Sequence, residues 1–115
     1  MRKLASPHQH SPVLDLGQDW AQDFHVSALA RDQSRVLISL YQAAAHVDGL
    51  FHSEIIQLAT DGSQAVRRLA HHHSVYGDYF DSPRANISRE GCFVAFTSTW
   101  GQSGRRDVFM LDLPK

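Results

Sequence analysis

The sequence predicts an all-β protein made of antiparallel four-stranded propeller blades, about two in number, one complete and one with three strands. Residues 29–39 align with residues 87–97, and residues 54–58 align with residues 107–111, so the second half of the chain repeats the first. Each copy reads as a short strand, a polar turn and an apolar strand that ends in a small hydroxyl residue. A repeat of roughly 40–60 residues built from several short strands indicates radially stacked sheets, such as propeller blades.

Composition and charge exclude several classes of protein. The chain has 115 residues, of which 43% are hydrophobic, so it is long enough for one small domain and too apolar for wholesale disorder. Its formal net charge of -1 gives no electrostatic footprint for nucleic acid or an anionic membrane. The single cysteine, Cys92, excludes an intrachain disulfide framework and a zinc site built from cysteines.

The N-terminal residues do not determine the cellular compartment of the protein. Residues 1–10 contain two basic residues but no apolar run behind them, so they do not read as a signal peptide. No stretch approaches the ~18 apolar residues that a bilayer span needs. Taken literally the chain is cytoplasmic, whereas a fragment of an exported protein would be periplasmic or secreted.

The first residues of the chain predict a tail and then a leading strand. Residues 1–11 are expected to be disordered or extended, since Pro7 and two histidines stand among serine and glutamine residues. The partial propeller is expected to cover residues 12–115. It begins with a strand over residues 13–16, which Gly17 ends. Closed propellers use such a strand to complete their last blade.

Residues 25–70 predict the complete blade. The apolar run over residues 35–41 lacks strict alternation, as in strands that are covered on both faces. Residues 42–51 develop no helical period and predict a loop. Asp61 and Gly62 predict a hairpin turn, because this pair accepts the positive φ values that a tight turn needs. The four predicted strands span residues 25–30, 35–41, 51–59 and 65–70.

Residues 84–113 predict the incomplete blade. A long crossover over residues 71–83 leads into it, and Pro83 keeps the residue before it extended. Its three predicted strands span residues 84–88, 92–98 and 107–113. Two blades cannot close a ring, because propellers typically have about 4–8 of them. The chain is therefore expected to be the C-terminal piece of a larger propeller, or an assembling part of a ring, for example three chains that supply six blades.

Three stretches carry a resemblance to a known family. Residues 68–74 read Arg-Leu-Ala-His-His-His-Ser, residues 83–91 read Pro-Arg-Ala-Asn-Ile-Ser-Arg-Glu-Gly, and residues 94–98 read Val-Ala-Phe-Thr-Ser. Together they resemble the last blades of TolB-like and WD40-like β-propellers, roughly over residues 25–113. The pattern is structural in that family, so the resemblance implies a fold rather than an activity.

Enzymes with similar blades provide two comparisons. Oligogalacturonate lyases carry a metal site with a His-Pro-His segment before the last blade, where residues 80–85 of this chain read Phe-Asp-Ser-Pro-Arg-Ala. Only the proline is kept, and both histidines are absent. Prolyl-oligopeptidase-type enzymes place their nucleophile in a Gly-x-Ser-x-Gly elbow on a separate domain, and this chain contains no such elbow.

The crossover holds the candidate ligand-binding residues. Three consecutive histidines could ligate a transition metal, but adjacent residues of an extended chain point to opposite sides, which favours structural or surface histidines. Aromatic residues and an arginine crowd the same loop, where they could hold a sugar or an anion, or could cap the core with Arg84 paired to Asp78 or Asp81. The candidate ligand-binding residues are His71, His72, His73, Tyr79 and Arg84, with no catalytic residue, metal site or cofactor predicted.

Two further features concern surfaces. Trp20 and Trp100 are expected on loops, where tryptophan can mark a partner or carbohydrate contact or can plug a core. The exposed side of the second blade is expected to present Val94, Phe96 and Phe109 unless another chain covers them.

The sequence thus favours a non-enzymatic β-propeller segment that acts as a protein- or glycan-binding scaffold, as part of a larger propeller. The alternative is a remnant or subunit of a carbohydrate-active, lyase-like propeller enzyme. The expected partners are further propeller blades or other copies of the chain, possible protein or glycan ligands, and neither nucleic acid nor membrane.

Overall fold

The computed structural model describes residues 2–16, 22–42 and 50–114. Most of the predicted loop over residues 42–51, together with Gly17 and Trp20, lies outside these ranges. No helix in the part of the chain that the structure describes is long and apolar enough to span a bilayer. The described strands are β1 (Arg2–Lys3), β2 (Ser6–His10), β3 (Gln22–Ser27), β4 (Arg35–Gln42), β5 (Glu54–Ala59), β6 (Val66–His71), β7 (Asn86–Ile87), β8 (Phe93–Ser98) and β9 (Asp107–Asp112).

The described residues confirm an all-β fold with two main antiparallel sheets. Strands β3 to β6 form a four-stranded sheet in sequence order, which we call sheet 1. Strands β7 to β9 form a three-stranded sheet in sequence order, which we call sheet 2. The sole described helical element is a 3-10 turn over Tyr79–Asp81, in the crossover between the two sheets. Each strand of these two sheets therefore pairs with its neighbour in sequence, as consecutive strands usually do.

The N-terminal prediction differs from the structure at one strand. Residues 13–16 form no strand, and the tail before them contains the short antiparallel pair β1 and β2. Val13, Leu14 and Leu16 are instead half-buried and line an apolar groove on sheet 1. Because Val13 and Leu14 are adjacent and both line this groove, the segment does not follow the period of two that a strand requires.

The hydrophobic core lies between the two sheets. Leu37 and Ile55 of sheet 1 pack in one cluster with Ile87, Val94 and Phe96 of sheet 2. Phe109 and Leu111 of β9 pack against this cluster, and the Phe96 and Phe109 rings stack with centroids 5.6 Å apart. The two sheets therefore bury one face each against the other.

The prediction that the exposed side of the second blade presents Val94, Phe96 and Phe109 was wrong. Val94 and Phe96 are buried and Phe109 is half-buried, because these residues face sheet 1. Their neighbours along the strands point the opposite way, since side chains alternate across a sheet. The large apolar residues that sheet 2 exposes are Phe93, Val108 and Met110.

Two buried serines join the start of sheet 2 to sheet 1. Ile87 donates its backbone N–H to the Ser27 hydroxyl at 3.3 Å, and Ala85 donates to the Ser39 hydroxyl at 3.2 Å. The first strand of a sheet has a ladder partner on one side only, so amides on its other side need a different acceptor when buried. The serines supply that acceptor at the line where β3 and β7 approach each other.

We predict that Phe96→Ala lowers the free energy of unfolding by about 3–5 kcal/mol, because it removes a buried ring from the contact between the sheets. Leu29→Ala, at an exposed residue in the turn after β3, is the control and should change it by less than ~0.5 kcal/mol. Urea unfolding followed by far-UV circular dichroism measures both. Equal effects of the two substitutions would show that the sheets do not share a core.

Candidate functional site

Of the five sequence-predicted site residues, His71 ends β6 and the other four lie on the connection between β6 and β7, at one end of the two sheets. This connection begins at His71, turns through the 3-10 turn and reaches β7 after Ala85. The loop between β8 and β9 lies against it, since Gly101 donates its N–H to the His73 carbonyl at 2.8 Å. Thr99 of the same loop accepts a hydrogen bond from Val75 N–H at 2.9 Å. The crossover and this loop therefore form one continuous surface.

His72 is a buried anchor of the crossover rather than a surface ligand. Its Nε2 donates to the Leu40 carbonyl at 2.9 Å, and its Nδ1 accepts from Ser74 N–H at 3.0 Å, which together require the neutral imidazole. Burial lowers the pKa of His72 to about 4, from an ordinary value of 6.5. Nearby His71, His52 and His73 lower that pKa further, whereas the Leu40 bond opposes the shift.

His71 and His73 lie on the solvent side of the same segment. Their ring centroids are 6.0 Å apart, and the His73 ring is 4.6 Å from that of Trp100. Trp100 in turn stacks on Phe109 at 4.9 Å, so the exposed rings rest on the edge of the core. The three histidines thus alternate as an extended chain predicts, and they do not converge on one point.

Tyr79 and Arg84 form a stacked pair. The Arg84 guanidinium carbon lies 3.8 Å from the centre of the Tyr79 ring, which is a cation–π contact. Arg84 Nη2 donates to the Tyr79 carbonyl at 3.1 Å, and its Nε donates to the Ser82 hydroxyl at 3.1 Å. The pairing of Arg84 with Asp78 or Asp81, one of the two sequence-based alternatives, does not form. Tyr79 and Phe80 remain exposed and meet edge to face.

Arg106, rather than Arg84, pairs with Asp78 and Asp81. Arg106 Nε donates to Asp81 Oδ1 at 2.7 Å, and its Nη2 donates to Asp78 Oδ2 at 2.7 Å. The other oxygen of Asp81 accepts the N–H groups of Gly77 at 3.0 Å and Asp78 at 2.9 Å. Burial alone would raise the pKa of Asp81, but the Arg106 and backbone hydrogen bonds outweigh it and lower that pKa.

The spacing of Asp78 and Asp81 was a local signal that sequence reasoning missed. The Asp78 side chain caps the 3-10 turn by accepting a hydrogen bond from Phe80 N–H. The Asp81 side chain accepts a hydrogen bond from the Asp78 backbone N–H, and the two bonds together make a capping box. Arg106, 25 residues beyond Asp81, carried no such signal. The cluster ties the crossover to the β8–β9 loop.

An open cavity of about 400 Å³ lies beside this cluster. Loop residues, the Arg105 and Arg106 side chains and Tyr76 line it. The Tyr76 ring also contacts the Tyr41 ring, with centroids 5.3 Å apart. The lining residues are Val75, Tyr76, Gly77, Asp81, Thr99, Gln102, Gly104, Arg105 and Arg106. Across residues 2–16, 22–42 and 50–114, no three His, Cys, Asp or Glu side chains are placed to share a metal ion.

Comparisons with known proteins give the chain no relative: no protein-family model, no curated protein and no solved structure matches it.

We predict a pH-dependent stability that depends on His72. The unfolded chain protonates this imidazole near pH 6.5, whereas the folded chain does so only near pH 4, so the unfolded state binds more protons between these values. The free energy of unfolding should fall as the pH falls from 6.5 to 4, by about 3 kcal/mol from this group alone. Urea unfolding at a series of pH values measures the slope. His72→Gln should flatten it and the exposed control His73→Gln should keep it; an unchanged slope in His72→Gln would contradict the assignment.

We predict that Asp81→Asn lowers the free energy of unfolding by about 1–3 kcal/mol, because an amide nitrogen replaces one of the two carboxylate oxygens that accept from Arg106 and from two backbone N–H groups. The Asp81 side chain is 11% exposed. Asp107→Asn is the matched control, since Asp107 also pairs with an arginine but is 41% exposed, and it should have no measurable effect. Thermal unfolding measures both, and an Asp81→Asn variant as stable as the control would show that the cluster does not hold the crossover.

Proposed function

We propose that the chain is a non-enzymatic β-propeller segment that acts as a protein- or glycan-binding scaffold. In this proposal sheet 1 is a complete four-stranded blade and sheet 2 is the next blade with three strands. The connections at the crossover end of the sheets form the binding surface.

The observation that supports consecutive blades is the way the repeat maps onto the faces of the sheets. Sheet 1 contacts sheet 2 through a side that we call face A, which carries Leu37, Ser39 and Ile55. The aligned residues of the repeat in sheet 2 are Ala95, Thr97 and Val108. These share one side of β8 and β9, because Thr97 pairs with Val108 and Ala95 pairs with Met110, and that side faces away from sheet 1.

The opposite side of each sheet, which we call face B, completes the pattern. Sheet 2 contacts sheet 1 through face B, with Val94 and Phe96 buried. The aligned residues Val36 and Ile38 lie on the far side of sheet 1, where they line the apolar groove. Face A of one sheet therefore packs on face B of the next, a head-to-tail relation that can be repeated without limit until a ring closes.

The position of the first strands also fits this arrangement. In a propeller the first strand of every blade lies nearest the central axis, so first strands of adjacent blades are neighbours. Strands β3 and β7, the first of each sheet, approach each other and are bridged by Ser27. The outer strands β6 and β9 then lie away from that line, as blades that spread from an axis require.

The binding surface is supported by exposed aromatic side chains on anchored loops. Tyr79, Phe80 and Trp100 are each at least half exposed, although large apolar side chains gain from burial. Arg84 contacts the Tyr79 ring, Arg106 lies over the Phe80 ring, and Trp100 stacks on Phe109 at the edge of the core. Rigid loops on a sheet scaffold that present exposed aromatic rings are typical of binding sites, since such rings supply contact area at low entropic cost.

Nothing in the described residues favours the lyase-like alternative over the scaffold. The segment that aligns with the lyase His-Pro-His carries Ser82 and Arg84, and both side chains are engaged in holding Tyr79. The arginines beside the cavity are likewise paired with aspartates.

The test is glycan binding on an array of neutral and acidic oligosaccharides, followed by titration of any glycan that binds. Tyr79→Ala and Trp100→Ala should each weaken binding at least about tenfold, since removing a stacked ring at a binding hot spot costs more than about 1.4 kcal/mol. Glu90→Ala, in the exposed turn at the opposite end of sheet 2, is the matched control and should bind as the unaltered chain does.

Two results would count against the proposal. Equal loss in Glu90→Ala would place the binding surface elsewhere. A chain that retains no glycan on the array would contradict the glycan form of the scaffold.

A further inference from the structure

The outer side of sheet 2 exposes an apolar ridge that belongs to face A. Val108 and Met110 are 71% and 66% exposed, and Phe93 on the adjacent strand is 43% exposed. These residues stand on β8 and β9, whose ladder is formed without interruption from the pair Phe93 and Asp112 to the pair Ser98 and Asp107. Exposed apolar patches of this kind on a regular sheet mark a surface that another element covers.

The outer side of sheet 1 exposes a matching apolar groove that belongs to face B. The groove has a volume of about 360 Å³. Phe24 and Val26 of β3 are half exposed at one wall, Val36 and Ile38 form the floor, and the segment from Val13 to Leu16 forms the other wall. Leu40 and Leu58 are also on this side and are already buried. The groove is therefore open over β3 and the first half of β4.

The contact inside the chain pairs a face A with a face B. Face A of sheet 1 is covered by face B of sheet 2, with Leu37 and Ile55 against Val94 and Phe96. Val108 of the ridge is the repeat equivalent of Ile55, and Val36 and Ile38 of the groove are the repeat equivalents of Val94 and Phe96. Each exposed face is thus the counterpart of the other, but the two lie on opposite outer sides of one chain and cannot meet within it.

We propose that a second copy of the chain docks the ridge of its sheet 2 into the groove on sheet 1 of the first copy. The inference rests on the proposed identity of the sheets as consecutive blades, and it names the partner of their outer faces. The occupant is a second copy because each copy offers both an exposed face A and an exposed face B. The contact between sheet 1 and sheet 2 already pairs a face A with a face B. The contact is heterologous, and a ring of about two to four copies would supply the roughly four to eight blades of a closed propeller.

The experiment uses the whole chain and one altered face at a time, with mass measured by size exclusion and light scattering at about 100 µM. Val108→Asp changes the ridge and Val26→Asp changes the groove, and both residues are exposed in the single chain, so the fold does not depend on either. The unaltered chain should give a discrete oligomer, and each variant alone should be a monomer. Leu29→Asp, at an exposed turn residue outside both faces, is the control and should keep the oligomer.

A mixture of the two variants decides between head-to-tail docking and other contacts. Val108→Asp retains its groove and Val26→Asp retains its ridge, so an equimolar mixture should form a 1:1 dimer and nothing larger. Met110→Asp replaces Val108→Asp as the ridge variant if circular dichroism shows that the latter does not fold. A mixture that remains monomeric, or a Val108→Asp chain that keeps the oligomer, overturns the proposal.

The outcome is separate from that of the glycan experiment. A monomeric unaltered chain that still binds glycan through Tyr79 overturns the docking of copies and leaves the scaffold standing. An oligomer that assembles through ridge and groove but binds no glycan gives the opposite result. An oligomer whose mass is unchanged in both face variants overturns docking through these faces.

Discussion

The architecture depends on the fact that each sheet is apolar on both faces while one neighbour can cover only one of them. Every residue of β5 is buried, including Glu54 and Gln57, so this strand behaves as the centre of a layered structure rather than as the inner side of a two-layer sandwich. Arg68 neutralises Glu54 through a forked contact at the rim. A sandwich would carry polar residues on its outer faces. Sheet 2 carries Val108 and Met110 there instead, so its outer face is apolar as well.

Buried polar groups of sheet 1 and of the crossover determine where the second sheet sits. Ser27 and Ser39 accept the amides at the start of sheet 2, and His72 joins the crossover to β4 through the Leu40 carbonyl. Each of these groups would cost about 1–3 kcal/mol if left without a partner, so sheet 2 cannot slide along sheet 1 without losing them. Apolar contacts between flat sheets have little directionality. The hydrogen bonds therefore fix the register that the hydrophobic core leaves free.

The sequence predicted the strands well but predicted poorly which faces and loops contact each other, because only the strands leave a local pattern. Strands β4 to β9 follow from alternation, turns and the repeat, all of which are local. Alternation shows that Val94 and Phe96 share a side, but it cannot show which side meets sheet 1, and the exposed face was accordingly assigned to the wrong residues. The contact of Arg106 with Asp81 joins two loops and leaves no pattern along the chain. Residues 13–16 were apolar enough for a strand, yet three of them line a groove without joining a ladder.

The two proposed roles use surfaces that are perpendicular to each other. The ridge and the groove lie on the faces of the sheets, whereas Tyr79, Phe80 and Trp100 lie at their ends. A copy that docks face to face therefore leaves the end surface open and places another set of the same rings beside it. Repeated sites on one rigid ring raise the effective concentration for a ligand with repeated units, so assembly would strengthen binding without adding a contact to any single site. A weak single site would then suffice for a scaffold, because closure of the proposed ring would multiply that site.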